Sequence, residues 1–449
     1  MDPDKKLDDD IFRILTIGDP HFKVDNTLET DILKNSIVSY LTKNEIDMVV
    51  VMGDILDRFG NIKTDPLCRA VDFLKSIRQC TQAYLYILIG NHDRINNQDF
   101  LTPLHPFTAV KGWDKTVVVD TSRVDTFSTK SGNKFLLSFV PYVPPGKFNL
   151  ALQESGVIIP QASTSSSVTS SSTSSLSSSS ITSSSTSSLS SSSVTSSSSS
   201  NLPVKSLIQL SNISCIFAHQ EAKNAKMGAI VSSSGDEWPL NFPLCISGHV
   251  HDYDELQPNF IYIGAPYQQS FGDKTGKTIS LFSFSPQNLK NTESKTQIDN
   301  STNVETSQRT EDSKSPKFIN MRMINHERIT LPIPSKSIVR ITSEQLIKYE
   351  APPNTHIKLI IDGEPAVVRS ILQTSNGLKL QNNPLIKISI QNKSKTESVS
   401  SIIEPKRRGR TFQQLLIAAV SNDQNEKVKN KFTQLFNIDL SLRRRRIVL

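Results

Sequence analysis

The sequence predicts an α/β protein in which two mixed β-sheets pack together between flanking helices, followed by a small α+β domain. Three observations predict it. Short apolar runs at residues 11–17, 47–52 and 84–89 are each followed by Gly-Asp or Gly-Asn, as buried strands bounded by turn residues are. Stretches with helical spacing lie between them. Five more strand-like runs follow, at 135–139, 213–218, 244–247, 260–263 and 278–284, enough for a second sheet.

The helices come from spacing. Residues 27–42 place Leu28, Ile32, Leu33, Ile37, Tyr40 and Leu41 on one helical face behind Thr27, a capping candidate. Residues 66–77 form a second helix with Pro66 in its first turn. Toward the C-terminus, strands are expected at 338–341, 356–361 and 385–390, with a helix at 366–372.

A chain of 449 residues is long enough for two or three domains. The expected division is a core at 11–287, a polar linker at 288–315, an α+β capping domain at 316–403, and a basic tail with amphipathic helices at 404–449. Residues 161–201 are almost entirely Ser with some Thr and cannot bury enough apolar surface to offset their ordering entropy. They read as a disordered insertion inside the core, because strands resume after them.

Net charge is uneven. From Pro316 onward there are 23 Lys and Arg against 10 Asp and Glu, whereas the preceding 315 residues carry 27 against 33. A basic C-terminal third suggests contact with a polyanion. KRRGR (residues 406–410) and the four arginines at 443–446 read as phosphate contacts or import signals, or as a solvated tail. No apolar run approaches the roughly 20 residues that span a bilayer. MDPDKKLDDD lacks the apolar stretch of a signal peptide. Cys68, Cys80, Cys215 and Cys245 have no CxxC spacing and read as buried thiols. The expectation is an intracellular protein, cytoplasmic or nuclear, without membrane contact.

Five of the eight histidines fall in short motifs at strand ends. The motifs are Ile-Gly-Asp19-Pro-His21, Gly-Asp54-Ile-Leu-Asp57-Arg58, Gly-Asn91-His92-Asp93, Ala-His219-Gln and Gly-His249-Val-His251. Residues two apart on an extended chain share a side, so Asp19 with His21, and His249 with His251, can each grip one cation while Val250 points into the core. A carboxylate such as Asp54 can bridge two cations, Asn91 offers a neutral oxygen, and Asp93 could orient the ring of His92. Each motif alone is weak: a capping Asp, a turn or a structural His. Five in succession, each directly after an apolar strand, point to one shared site.

That order of motifs resembles the calcineurin-like metallophosphoesterases over about residues 11–285, apart from the Ser tract. The resemblance implies a four-layer fold with the site on strand-end loops. It implies one metal on Asp19, His21, Asp54 and His251, and a second on Asp54, Asn91, His219 and His249. His92 would be the acid or transition-state contact, with Asp93 holding its ring; Asp57 and Arg58 would face substrate. Nitrogen and oxygen donors without thiolate suit Mn²⁺, Fe²⁺ or Zn²⁺ better than Mg²⁺, and the family often uses Mn²⁺.

Within that superfamily, Asn-His-Asp93 and the stretch from Tyr262 through Tyr267, Gln268 and Gly272 to Asp273 resemble the SbcD-type DNA repair nucleases and the T-even phage recombination nuclease subunit. This branch implies DNA as substrate, a DNA-touching cap, a helical segment that docks on an SMC-like coiled-coil ATPase, and a homodimer. Archaeal and eukaryotic members carry His where this chain has Asp57; the bacterial and phage subfamily commonly has Asp. Two alternatives stay open. GDxxDR is shared with protein phosphatases, so a phosphomonoesterase acting on phosphoprotein or nucleotide is one; a DNA-end-binding scaffold without hydrolysis is the other.

Overall fold

The computed structural model describes residues 9–160, 207–287 and 318–391. The chain divides into two compact units, Met1–Ile338 with Ala351–Lys358, and Val339–Glu350 with Leu359–Leu449. The expected linker at 288–315, the Ser tract at 161–201 and the tail at 404–449 lie outside the described residues.

The first unit holds two six-stranded sheets. In one, β1 (Phe12–Ile17), β2 (Met48–Val51), β3 (Tyr84–Leu88) and β4 (Thr116–Val119) run parallel. Beyond β1 lie β15 (Ile279–Pro286) and β16 (Met321–Ile329), each antiparallel to its neighbour. In the other, β6 (Lys134–Val140), β9 (Ile213–Ala218), β12 (Leu244–Ser247) and β14 (Phe260–Tyr262) run parallel. Its edges are the antiparallel strands β5 (Arg123–Ser128) and β13 (Asp254–Gln257). Two small pairs complete the unit: β7 (Val157–Ile158) with β8 (Ile208–Gln209), and β10 (Lys226–Met227) with β11 (Ile230–Val231). Because β7 and β8 are parallel neighbours, the chain resumes beside the point at which it enters the Ser tract.

The period-two alternation of a strand sorts each apolar run between two layers. Leu15, Val49, Val51, Leu85 and Ile87 face helices α1 (Thr27–Lys43) and α2 (Thr64–Cys80), meeting Leu33, Ile37, Phe73 and Ile77. Ile14, Met48, Val50, Tyr86 and Leu88 face the other way, against Leu137, Phe139, Cys215, Phe217 and Ile246 between the sheets. Ile216, Ala218, Cys245 and Tyr262 then cover the outer side of the second sheet with α3 (Phe148–Glu154) and Trp238. Helix, sheet, sheet and helix give the four layers, a mixed α/β architecture as expected.

Differences from the sequence reading are local. Thr27 is the first helical residue; Asn26 occupies the cap position and uses its side chain elsewhere. The edge strand β16 was not expected: its residues fall in the range read as capping domain, with no strand among them. Only Met321 among its residues is buried, so no apolar run announces it, but its backbone pairs with β15 and the His326 ring stacks on Phe282 at 4.2 Å. Of the cysteines, Cys215 and Cys245 are buried, whereas Cys68 is exposed and Cys80 intermediate. No helix among the described residues is long and apolar enough to cross a membrane.

A three-stranded sheet, β17 (Ser335–Thr342), β18 (Thr355–Asp362) and β19 (Ile386–Gln391) in that order, lies mostly in the second unit, with Ser335–Ile338 and Thr355–Lys358 assigned to the first. Helices α4 (Ser343–Leu346), α5 (Pro365–Leu372) and α6 (Ser375–Gln381) accompany it. Leu359, Ile361, Val368, Leu372, Leu380 and Ile386 are buried. Thr342 and Gln345 make a reciprocal capping box on α4, and Pro365 opens α5.

Phe139 is fully buried between Tyr86, at 4.0 Å, and Phe217, at 5.6 Å between ring centroids. Phe139→Ala is expected to lower unfolding stability by about 3–5 kcal/mol. Urea denaturation followed by circular dichroism checks this; a loss below about 1 kcal/mol would contradict a close-packed layer between the sheets.

Candidate metal centre

The five motifs lie at the carboxyl ends of β1, β2, β3, β9 and β12. These ends meet where the two sheets abut: the His219 Nδ1 atom lies 2.7 Å from the Met52 carbonyl, and the Tyr142 N–H, just after β6, donates to Ile89 O, just after β3, at 2.8 Å. The first two loops are joined by His21 N–H to Asp54 O, 3.0 Å, and Phe22 N–H to Ile55 O, 2.7 Å.

Two groups of potential ligands result, Asp19–His21–His251 and Asp54–His219–His249, each with its donor atoms within 4.8 Å of one another. Asp54 turns one oxygen to each: Oδ2 is 3.7 Å from His21 Nε2, and Oδ1 is 3.4 Å from His219 Nε2. Asn91 Oδ1 lies 3.1 Å from His219 Nε2 and 3.0 Å from His249 Nδ1. The ligands expected for each cation therefore stand together, with Asp54 between the groups.

The route to this geometry is not the expected one. His21, Asp54 and His249 all have left-handed backbones, with φ of 43°, 47° and 78°. Asp19 and His21 thus converge through a tight turn rather than from one side of an extended strand, as do His249 and His251. Such conformations cost of order 1 kcal/mol or more each and persist where the surroundings impose them. Val250 does point into the core, as expected.

Buried among its neighbours, the site leans on charge balance. Burial raises the Asp19 carboxyl well above its ordinary range, opposed by His219. Burial also disfavours the Asp54 carboxylate, but His219, His92 and His21 hold it well below the usual range. Burial pushes His21 well down, His251 down and His249 down to about 3, which favours the neutral imidazole that ligates metals. His219 is opposed by burial too, yet Asp54 and Asp19 carry it up to about 9. Asp19 Oδ1 is buried without a hydrogen-bond partner among the described residues, and His21 Nε2 faces His251 Nε2 at 2.9 Å. An orphaned carboxylate oxygen and two apposed ring nitrogens are what a cation between them would satisfy. The residues fit a pair of divalent ions.

His92 stands at the rim, its side chain 32% exposed, with Nε2 3.9 Å from Asp54 Oδ2. Its ring is not held by Asp93. His92 Nδ1 lies 2.6 Å from the Asp57 carbonyl, and the Asp93 carboxylate instead accepts from Leu56 N–H at 2.9 Å and Gly90 N–H at 3.0 Å. Residues 91–93 form a single 3₁₀ turn, in which consecutive side chains diverge: Asn91 and Asp93 are buried while His92 opens to the cleft. Asp93 therefore staples the loop of Asp54 to the loop of Asn91. Burial first, then Asp54, pushes its carboxyl up to about 7. Asp57 and Arg58 belong to neither ligand group; they line an adjoining cleft of about 390 Å³. The cleft over the ligands measures about 290 Å³ and is lined by Asp54, Asn91, His92, His249 and His251, with residues 226–228 across from them.

Residues 12–147 match the family described as calcineurin-like phosphoesterase. A phosphoesterase-named protein of Invertebrate iridescent virus 3, 078R, is 35% identical over 267 residues, which is 60% of this chain and 61% of that protein. Another, 244L of Invertebrate iridescent virus 6, is 34% identical over 272 residues, covering 61% of this chain and 76% of the relative. The chain belongs to the calcineurin-like phosphoesterase family. This is a family of metal-dependent hydrolases, and the paired ligand groups of this chain suit that chemistry.

The structure also assigns residues that motif reading passed over. Asn26 donates to His21 O at 2.7 Å and to the Tyr267 hydroxyl at 3.0 Å, while Tyr267 donates to Pro20 O. Gln269 donates to Asp19 O at 3.3 Å, and Asp273 accepts from Gln269 N–H at 2.7 Å. The stretch from Tyr262 to Asp273 is thus a buttress for the Asp19–His21 loop. Tyr267 belongs to the stretch that resembles the SbcD-type nucleases, whereas Asn26 carries no sequence signal, because a single Asn in a turn is unremarkable.

Gly90 has no room for a side chain: an added Cβ would sit 2.2 Å from Asp54 Oδ1 and 2.3 Å from Asp54 N. Gly90→Ala is expected to push Asp54 off its shared position and weaken Mn²⁺ binding about 10–100-fold. Titration calorimetry on the folded variant measures it; wild-type affinity would show that the Asp54 position does not govern binding.

Proposed function

We propose that this phosphoesterase is a two-metal phosphodiesterase acting on DNA, the nuclease subunit of an SbcD-type repair or recombination complex working in the cytoplasm or nucleus, with Mn²⁺ as its metal. The observation that carries the reading is the Asp54 carboxylate set between two complete ligand groups at the floor of an open cleft, with His92 at the rim. The buttress from Tyr267 to Asp273, which braces the Asp19–His21 loop, supports the nuclease branch.

Asp19, His21, Asp54 and His251 would hold one ion, and Asp54, Asn91, His219 and His249 the other. Bound there, the pair would supply an acidified water and charge neutralisation for the phosphate oxygens. The protein's own groups do the rest. The Asp57 carbonyl accepts from His92 Nδ1–H, which fixes the ring and leaves Nε2 facing the cleft. From Nε2 the protonated ring gives its proton to the departing alkoxide. Asp93 keeps the two loops in register, so the distance between Asp54 and His92 is held from below.

The basic tail and the residues expected to dock on a coiled-coil ATPase lie outside the described residues, and the ATPase, the homodimer and DNA contact by the small domain remain part of this proposal. The purified protein with Mn²⁺ is expected to cleave bis-p-nitrophenyl phosphate and linear DNA, and to lose both activities in EDTA. His92→Ala should lower kcat by about 10²–10⁴-fold while leaving Mn²⁺ affinity within a few-fold. Hydrolysis confined to the mono ester, p-nitrophenyl phosphate, would reject the DNA reading. Unchanged DNA processing in His92→Ala would reject hydrolysis at this site and favour a scaffold.

A further inference from the structure

We propose that Phe59 is a stacking platform for a nucleobase next to the phosphate held at the metal centre. The inference rests on the phosphodiesterase reading and adds to it the contact by which the enzyme would distinguish a nucleotide chain from a bare phosphoester.

Phe59 lies on the loop between β2 and α2, directly after Asp57 and Arg58. Its ring centroid is 6.3 Å from that of His92, the planes meeting at 77°. His92 in turn packs against His21 at 4.9 Å. Phe59 is therefore one ring removed from the first ligand group. Yet it is 48% exposed, so the core gains little from it. The loop beneath it is pinned: the Gly60 N–H donates to Arg94 O at 3.2 Å, Asn61 N–H to Phe59 O at 2.8 Å, and the Asp57 carbonyl is held by His92. Gly60 takes a left-handed backbone, φ 73°, to make this turn. An aromatic ring held at the surface on a fixed loop loses little freedom when it stacks.

The charge around it fits the same occupant. Lys23, Arg58 and Lys63 line a cleft of about 390 Å³ together with Asp25 and Asp57, three cations against two carboxylates. Asp57 lies 4.0 Å from Lys23 and 3.7 Å from Arg58, whose side chain is 82% exposed. Cations that track a phosphate backbone beside an aromatic face that takes bases are the composition of a single-stranded nucleic-acid site. A competing occupant is a protein partner, since exposed Ile95 and Leu104 border a neighbouring hollow. The contact of Phe59 with His92 and the one-charge excess of cations in that cleft favour the nucleotide.

The test uses the full chain with Mn²⁺, a single-stranded oligodeoxynucleotide, and the same strand made wholly of abasic residues. The wild type is expected to prefer the base-bearing strand in kcat/KM by about ten-fold or more, chiefly through KM. Phe59→Ala should collapse that preference, and Phe59→Trp should keep it. Mn²⁺ affinity by calorimetry should be the same in all three proteins. A preference that survives in Phe59→Ala, or that never exists in the wild type, overturns the proposal and leaves the apolar surface to a protein partner. Failure to cut either strand, with the mono ester still hydrolysed, sinks the DNA reading and this inference with it.

Discussion

The structure is organised around one shared carboxylate. Asp54 is buried, yet it stays ionised because His219, His92 and His21 surround it. Each oxygen faces a different ligand group, so anything that rotates or shifts Asp54 disturbs both groups at once. That explains the density of backbone staples beneath it. Gly90 leaves the space, Asp93 ties the neighbouring loop, and the His21 N–H holds the Asp54 carbonyl. Left-handed backbones stand at three of the ligand positions, a strain that persists where the surroundings impose it.

The parallel strands make this convergence possible. Parallel neighbours end on the same edge, so loops after β1, β2 and β3 start side by side, as do those after β9 and β12. Packing the two sheets face to face then brings the two sets of loops together. His219 crosses that junction, with its ring nitrogen against the Met52 carbonyl of the other sheet. The core between the sheets, centred on Phe139 and its stacked neighbours, is consequently a requirement of the site as well as of the fold.

Much of this was legible in the chain. The strand runs, the two helices of the first half and the strands and helix of the second unit follow from apolar patterning; burial on both faces makes β1, β2 and β3 nearly continuous apolar runs. Other elements escaped. The edge strand β16 is too polar to register, since an edge strand needs only backbone partners and one modest face. Asp93 was read as the partner of the adjacent His92, but a 3₁₀ turn sends neighbours in different directions. Asn26 and Tyr267 brace a loop 241 residues apart in sequence, a pairing no local pattern encodes.

The sequence by itself determined which groups could ligate, their order along the chain and the strand ends that carry them. Local chemistry is written in residue type, and a turn after an apolar run is a short-range signal. Only the tertiary structure decided that seven such side chains share one buried hollow, that Asp54 stands between two groups, and that Phe59 waits exposed beside His92. Those outcomes depend on how two sheets twist and pack, and on hydrogen bonds between residues far apart, which set angles and distances that composition does not contain.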